Sequence, residues 1–278
     1  EFSTIDRQSS QSFAIWGDKV GQAIGVPLRL NHVPHAPATT TVKLANRIDY
    51  GQEVDAPVSI IRFAAAAGKL PNHAPGDLLG VLAPECTVPR FYSLASTHHD
   101  GLIEICVRAQ YGGVCSSHLT GMAEGDPVEV FIKPNPIFRP ARSNHPLILI
   151  GAGAGIGPLV GFIRADDPTR ETQLFWGGRH PRSDFLYQEE LAALVQSGKL
   201  SQLTTAFSRV PDGCYVQEKL RQQADSLQRA ILSGAQIMVC GGHEMGAEVR
   251  FAWDEILLPI GLSVAQLKSE ERYVEDVY

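Results

Sequence analysis

Between Pro27 and Pro134, apolar residues fall in short runs (41–50, 58–63, 78–82, 91–95, 102–109 and 128–133), with turn formers such as Pro75-Gly76-Asp77 and Gly125-Asp126-Pro127 between them. Runs of that length and punctuation predict β-strands, and many short strands at regular spacing predict a closed antiparallel barrel. From Leu147 the pattern changes. Leu147-Ile148-Leu149-Ile150 is wholly apolar and leads into a glycine-rich turn and a helical stretch over 159–164. Strand-like runs at 173–176, 203–207 and 236–239 then alternate with helical ones at 185–197, 216–224 and 245–257. Such alternation predicts a parallel sheet flanked by helices. The four prolines at 134, 136, 140 and 146 predict an extended connection between the halves. Residues 1–24, rich in Ser and Gln without sustained period, read as a tail or linker. The expected organisation is a tail over 1–24, an antiparallel β-barrel domain over 25–140 and an α/β domain with a parallel sheet over 141–278.

A chain of 278 residues suits two domains of ordinary size. It holds no apolar run near the roughly 20 residues a membrane-spanning helix needs, so no membrane segment is expected. The net charge of −6 without a Lys/Arg cluster argues against nucleic acid or an anionic membrane surface as the main partner. Five cysteines without a C-x-x-C pair argue against a disulfide framework or zinc site and suit a reducing, cytoplasmic compartment. The histidines lack paired metal-ligand spacing, and no metal is expected. A start at Glu1 without a Met or secretory signal is expected of a piece of a longer or membrane-attached polypeptide.

The chemistry starts at Gly151-Ala152-Gly153-Ala154-Gly155-Ile156-Gly157, where an apolar strand ends. A strand, a glycine turn and a helix start let backbone N–H groups approach a dinucleotide pyrophosphate, to which the helix N-terminus adds partial positive charge. Such turns also arise for packing alone, and the spacing here is G-x-G-x-G-x-G rather than G-x-G-x-x-G. Ser208-Arg209, after a later strand, offers a hydroxyl and a planar guanidinium to a 2′-phosphate. Alone, that pair would read as an exposed loop.

Six segments in order extend the pattern: Arg90-Phe91-Tyr92-Ser93, Gly113-Val114-Cys115-Ser116, Ala206-Phe207-Ser208-Arg209, Tyr215-Val216-Gln217, Val239-Cys240-Gly241-Gly242 and Arg272-Tyr273-Val274-Glu275-Asp276-Val277-Tyr278. Together they resemble the ferredoxin-NADP reductase superfamily, closest to diflavin reductases of the sulfite reductase flavoprotein and microsomal cytochrome reductase type. The resemblance runs from about Pro75 to Tyr278. It implies a Rossmann-like second domain, FAD in the barrel domain and NADPH as donor. It also implies that Tyr92 and Tyr278 lie against the flavin ring, that Ser93 bonds near its N5, and that Arg90 and Gly113, Val114, Cys115 and Ser116 hold its pyrophosphate. NADP would meet Gly151, Gly153, Gly155, Ile156, Ser208, Arg209, Tyr215, Gln217 and Cys240. Ser93, Cys240, Asp276 and Tyr278 would form the catalytic set.

The chain departs from the pattern in three ways. It passes from Gly80-Val81 almost directly to Arg90, without a connecting domain. Ala154 stands where relatives often carry Thr, and Gly213 where a Lys often assists the 2′-phosphate. The expected function is an FAD-dependent NADPH reductase passing single electrons to an FMN or flavodoxin-like domain, on a separate domain or protein, or to another one-electron acceptor. A stand-alone ferredoxin, flavodoxin or ferric reductase is the alternative within enzymes. A non-redox nucleotide-binding regulatory module is the alternative outside them.

Overall fold

The computed structural model describes residues 10–28, 38–84, 86 and 88–278. The helix α1 (Ser10–Ile24) comes first, followed by strands β1 (Thr40–Tyr50), β2 (Val58–Ala65), β3 (Leu78–Leu82), β4 (Arg90–Ser93) and β5 (Ile103–Arg108). Helix α2 (Val114–Gly121) and strand β6 (Pro127–Lys133) complete the first half. The second half runs β7 (Leu147–Ala152), α3 (Ile156–Ala165), β8 (Thr172–Gly178), α4 (Gln188–Gln196), β9 (Gln202–Phe207), α5 (Val216–Gln222), α6 (Ala224–Leu232), β10 (Gln236–Gly241), α7 (His243–Leu257), α8 (Val264–Ser269) and β11 (Tyr273–Val277).

The first sheet is antiparallel, in the order β4-β3-β6-β1-β2-β5. Its two end strands meet again at the Leu94–Ile105 bridge and through the Ala95 N–H donated to the Glu104 carbonyl at 2.8 Å, which closes the barrel. The two-residue period of a strand then sorts the side chains. On β2 and β5, Ile61, Phe63, Ile103, Ile105 and Val107 fill the barrel, whereas Val58, Ile60 and Cys106 face outward into a second core. That second core is shared with Ile156, Leu159 and Trp176 of the other half. Burial on both faces explains why β2 reads as a continuous apolar run rather than an alternating one.

The second sheet is parallel, in the order β11-β10-β7-β8-β9. Ile148 and Ile150 of β7 face one helical layer, and Leu147 and Leu149 face the barrel side. Strand order reverses between β7 and β10, so the loops leaving those two strands flank a crevice at the sheet's carboxyl edge.

Four details differ from the sequence expectation. The stretch over 10–24, expected as aperiodic tail or linker, is helical; residues 1–9 of that tail lie outside the described residues. The helical run at 185–197 begins at Gln188, because Tyr187 before it sits at φ 56, outside helical geometry. Helices α6 and α8 and the strand character of 273–277 were not expected. β11 is short and of mixed polarity, and only its parallel pairing to β10 makes it a strand.

Candidate functional site

Two strands from different sheets meet at the centre of the site. Ser93, the last residue of β4, donates its Oγ–H to the Asp276 carboxylate on β11 at 2.7 Å, across 183 residues of sequence. The parallel register sets Asp276 opposite Cys240, and Cys240 opposite Gly151. Val274 and Cys240 pack with the core facing the barrel, so the strand period turns Asp276 to that side as well. Burial raises the Asp276 carboxyl above its ordinary value, and the Ser93 bond opposes this without overcoming it. Burial, with Asp276 beside it, also pushes the Cys240 thiol well above its usual value. That thiol is wholly buried and is not an ionised nucleophile.

The chain end is tied down. Tyr278 donates its backbone N–H to Gly241 O at 3.0 Å, and its carbonyl accepts from His243 N at 3.2 Å. The residue keeps 55% of its surface exposed. Its phenol nonetheless lies in surroundings enclosed enough to raise its pKa well above the tyrosine value, with Cys240, Cys106 and Asp276 as charge neighbours.

On β4, Tyr92 and Ser93 face opposite sides. Ser93 turns to Asp276, while Tyr92 packs against the barrel core with its hydroxyl at the Cys115 thiol on α2, and burial raises both groups. Arg90 is exposed at the start of that strand, and among the described residues it forms no ion pair. At the start of α2, Ser116 accepts from Gln110 N and donates to Gly113 O, both at 3.2 Å, fixing the turn over 110–116. Val114 is exposed there, whereas Cys115 and Ser116 are buried.

The glycine loop divides its duties. A Cβ on Gly155 would run into the Cys240 carbonyl well inside 3.0 Å, and one on Gly151 would meet Leu159 Cδ1 at 2.7 Å. Those glycines serve close packing of the loop on β10 and α3. Gly153 alone combines a left-handed φ of 53 with open space in front of it. Ile156 is fully buried, and its N–H is bonded to the Gly153 and Ala154 carbonyls, so it has no free group to offer a ligand from this loop.

At the far end of the crevice, Arg209 is exposed after β9, and Ser208 lies beside it with its Oγ 3.5 Å from Gly178 O. Tyr215 is 62% exposed at the start of α5, and Gln217 is half-buried two residues on. Gly213 is hemmed in by the carbonyls of Phe207, Ser208 and Val210, which a Cβ would meet at 2.8–2.9 Å. The turn therefore has no room for a lysine unless it shifts. Sequence reading missed Arg179 at the carboxyl end of β8. Its backbone N–H is held by the buried Asp184 carboxylate at 2.8 Å, and its guanidinium faces Arg209 and Arg108. The edge position after β8 was the available signal.

A closed barrel joined to a parallel sheet leaves a crevice at the reversal of strand order, where open sheets of this kind bind their ligands. Residues 149–250 match the family model described as the oxidoreductase NAD-binding domain. The chain is 35% identical over 246 residues to the sulfite reductase (NADPH) flavoprotein alpha-component of Cronobacter sakazakii, an alignment covering 80% of this chain and 40% of that protein. The proteins of the same name from Salmonella typhi and Escherichia coli O157:H7 are 36% and 35% identical over the same length. Over 80% of its own length the chain is thus similar to these NADPH-dependent flavoproteins, and it spans about 40% of theirs.

Proposed function

We propose that the chain is an FAD-dependent NADPH reductase, with a flavin-binding barrel domain up to about residue 140 and an NADP-binding domain beyond it, that passes single electrons to an FMN domain or another one-electron acceptor protein. The observation carrying this reading is the Ser93–Asp276 bond, which joins the two sheets beside Cys240 and the pinned Tyr278. The flavin fits the residues present. Phe91, Val114 and Tyr278 are large apolar groups left exposed, as expected of a surface that a flat aromatic ligand covers. The exposed Arg90 and the start of the eight-residue helix α2 supply positive charge and N–H donors for its phosphates.

Bound FAD would supply a two-electron acceptor able to release electrons one at a time. The chain's residues supply position and electrostatics. Tyr92 and Tyr278 would hold the ring, and Ser93 would offer its hydroxyl to the reacting edge, oriented by Asp276. The raised pKa of Asp276 suits a carboxyl that shares a proton with Ser93 as charge moves. Buried Cys240 would shape a dry slot for nicotinamide. Gly153 would meet the pyrophosphate, and Ser208, Arg209, Tyr215 and Gln217 the adenosine end. In the relatives' name NADPH is the reductant, and the same donor is proposed here.

The test is spectroscopic. Purified protein is expected to carry FAD, to be yellow, and to bleach when NADPH is added without oxygen. Colourless protein that takes up no FAD on reconstitution contradicts the proposal.

A further inference from the structure

The turn joining β1 to β2 in the barrel reaches across to the nucleotide half and occupies its arginines. Arg209 donates NH1 to the Val54 carbonyl at 2.6 Å. Arg179 donates NH1 to the same carbonyl at 2.7 Å and also to that of Asp55. The turn is preformed. Ala56 N donates to Gly51 O at 2.9 Å, Gly51 N donates to Ser183 O at 2.9 Å, and Asp55 holds a left-handed φ of 52. Asp55 and Arg108 also line one cleft, together with Pro57, Ala109, Gln110 and Tyr111. Three guanidinia, Arg108, Arg179 and Arg209, therefore gather where the turn docks, and burial together with the other two cations lowers the Arg179 pKa while Asp55 and Asp184 oppose this.

Resting on the assignment of Arg209 to the 2′-phosphate, we propose that the turn 51–56 is a selectivity gate: its Val54 and Asp55 carbonyls and the Asp55 charge compete with the phosphomonoester of an incoming nucleotide for Arg179 and Arg209. Neutral carbonyls are weaker partners for guanidinium than a phosphate dianion. The phosphate therefore displaces them, and the lost contacts subtract from binding of the phosphorylated nucleotide alone. A nucleotide without the 2′-phosphate leaves the turn docked and loses nothing. The gate narrows the preference for NADPH over NADH, and it sits on the flavin half rather than in the nucleotide-binding loops.

Calorimetric titration of the holoprotein with 2′,5′-ADP and with 5′-AMP tests this without turnover. Asp55→Asn keeps a residue that tolerates the left-handed backbone and removes the charge. It is expected to tighten 2′,5′-ADP about threefold, the scale of an exposed ion pair, with 5′-AMP unchanged. Replacing residues 52–55 by Gly-Gly shortens the turn by two residues, so that its carbonyls no longer reach Arg179 and Arg209, and is expected to tighten 2′,5′-ADP about tenfold, the worth of one charge-assisted bond. If the shortened protein does not fold, Asp55→Asn decides alone. Parallel changes for both nucleotides, unchanged affinities, or weaker 2′,5′-ADP binding overturn the gate. Arg209→Ala separates the two claims. If it abolishes discrimination while the turn variants change nothing, the gate alone fails. If the wild type binds both nucleotides equally, the phosphate assignment fails and takes the gate with it.

Discussion

Asp276 bears a carboxyl in a place that disfavours its charge, and this has a measurable consequence. Burial raises its pKa, so the folded protein keeps this proton to a higher pH than the unfolded chain does. Over the interval between the unfolded and folded values, the folded state binds more protons, and stability falls as pH rises. The contribution is fully present below the unfolded aspartate value of about 4 and is lost as pH climbs through the raised folded value. The melting temperature of the wild type, taken relative to Asp276→Asn, is therefore expected to decline as pH rises from about 4 towards neutrality. Parallel melting curves would exclude the raised value. At this scale the sequence was informative about residue type and less so about direction. Ser93, Cys240, Asp276 and Tyr278 lie near one another, whereas the opposite facing of Tyr92 and Ser93 and the burial of Ile156 depend on strand parity and loop bonding.

Among the elements, the loop between β7 and α3 decides how closely Cys240 approaches the barrel. Gly155→Ala would press a methyl into the Cys240 carbonyl and force loop and strand apart. It is expected to cost about 1–3 kcal/mol in denaturant unfolding, as overpacking does. Gly153→Ala meets open space and pays only for its left-handed φ, about 1–2 kcal/mol. The two should differ in kind: Gly155→Ala should also weaken nicotinamide-side chemistry by moving Cys240. Equal stability loss with unaltered turnover in both would contradict this division. The barrel strands and the β-α alternation were legible because short runs between turn formers and apolar strands before glycine have local causes. Edge strand β11 was not, because its parallel pairing to β10 completes it, whereas α6 was missed although Leu227, Ala230 and Ile231 recur at helical spacing on its buried face.

At the scale of the whole molecule, the two halves are held by a buried network centred on Glu104, which is 1% exposed. Its carboxylate accepts from Arg62 Nε at 2.6 Å on the barrel side, and from Arg164 NH1 at 2.7 Å and Tyr187 Oη at 3.0 Å on the other. Arg164 also clasps Glu190 at 2.6 and 2.8 Å, and its guanidinium lies 5.4 Å from the centre of the Tyr187 ring. Because the Tyr187 proton goes to Glu104, the Cys106 thiol donates to Tyr187 at 3.3 Å, and burial pushes that thiol up to about 12. Glu104→Gln leaves two guanidinia facing a neutral amide and is expected to cost about 3 kcal/mol of stability. A loss below about 1 kcal/mol would show that the network does not hold the halves together. Nothing local in the sequence marks Glu104, because its partners lie 42, 60 and 83 residues away.

The claim beneath all of this is that reduction by NADPH occurs at the Ser93–Asp276 joint. The most direct measurement is the rate of anaerobic flavin reduction by NADPH, followed by rapid mixing, in wild type and Asp276→Asn matched for FAD content. The variant is expected to keep its flavin and slow about ten- to a hundredfold, as loss of a positioned charge or proton partner does. An unchanged rate with flavin retained would contradict the account.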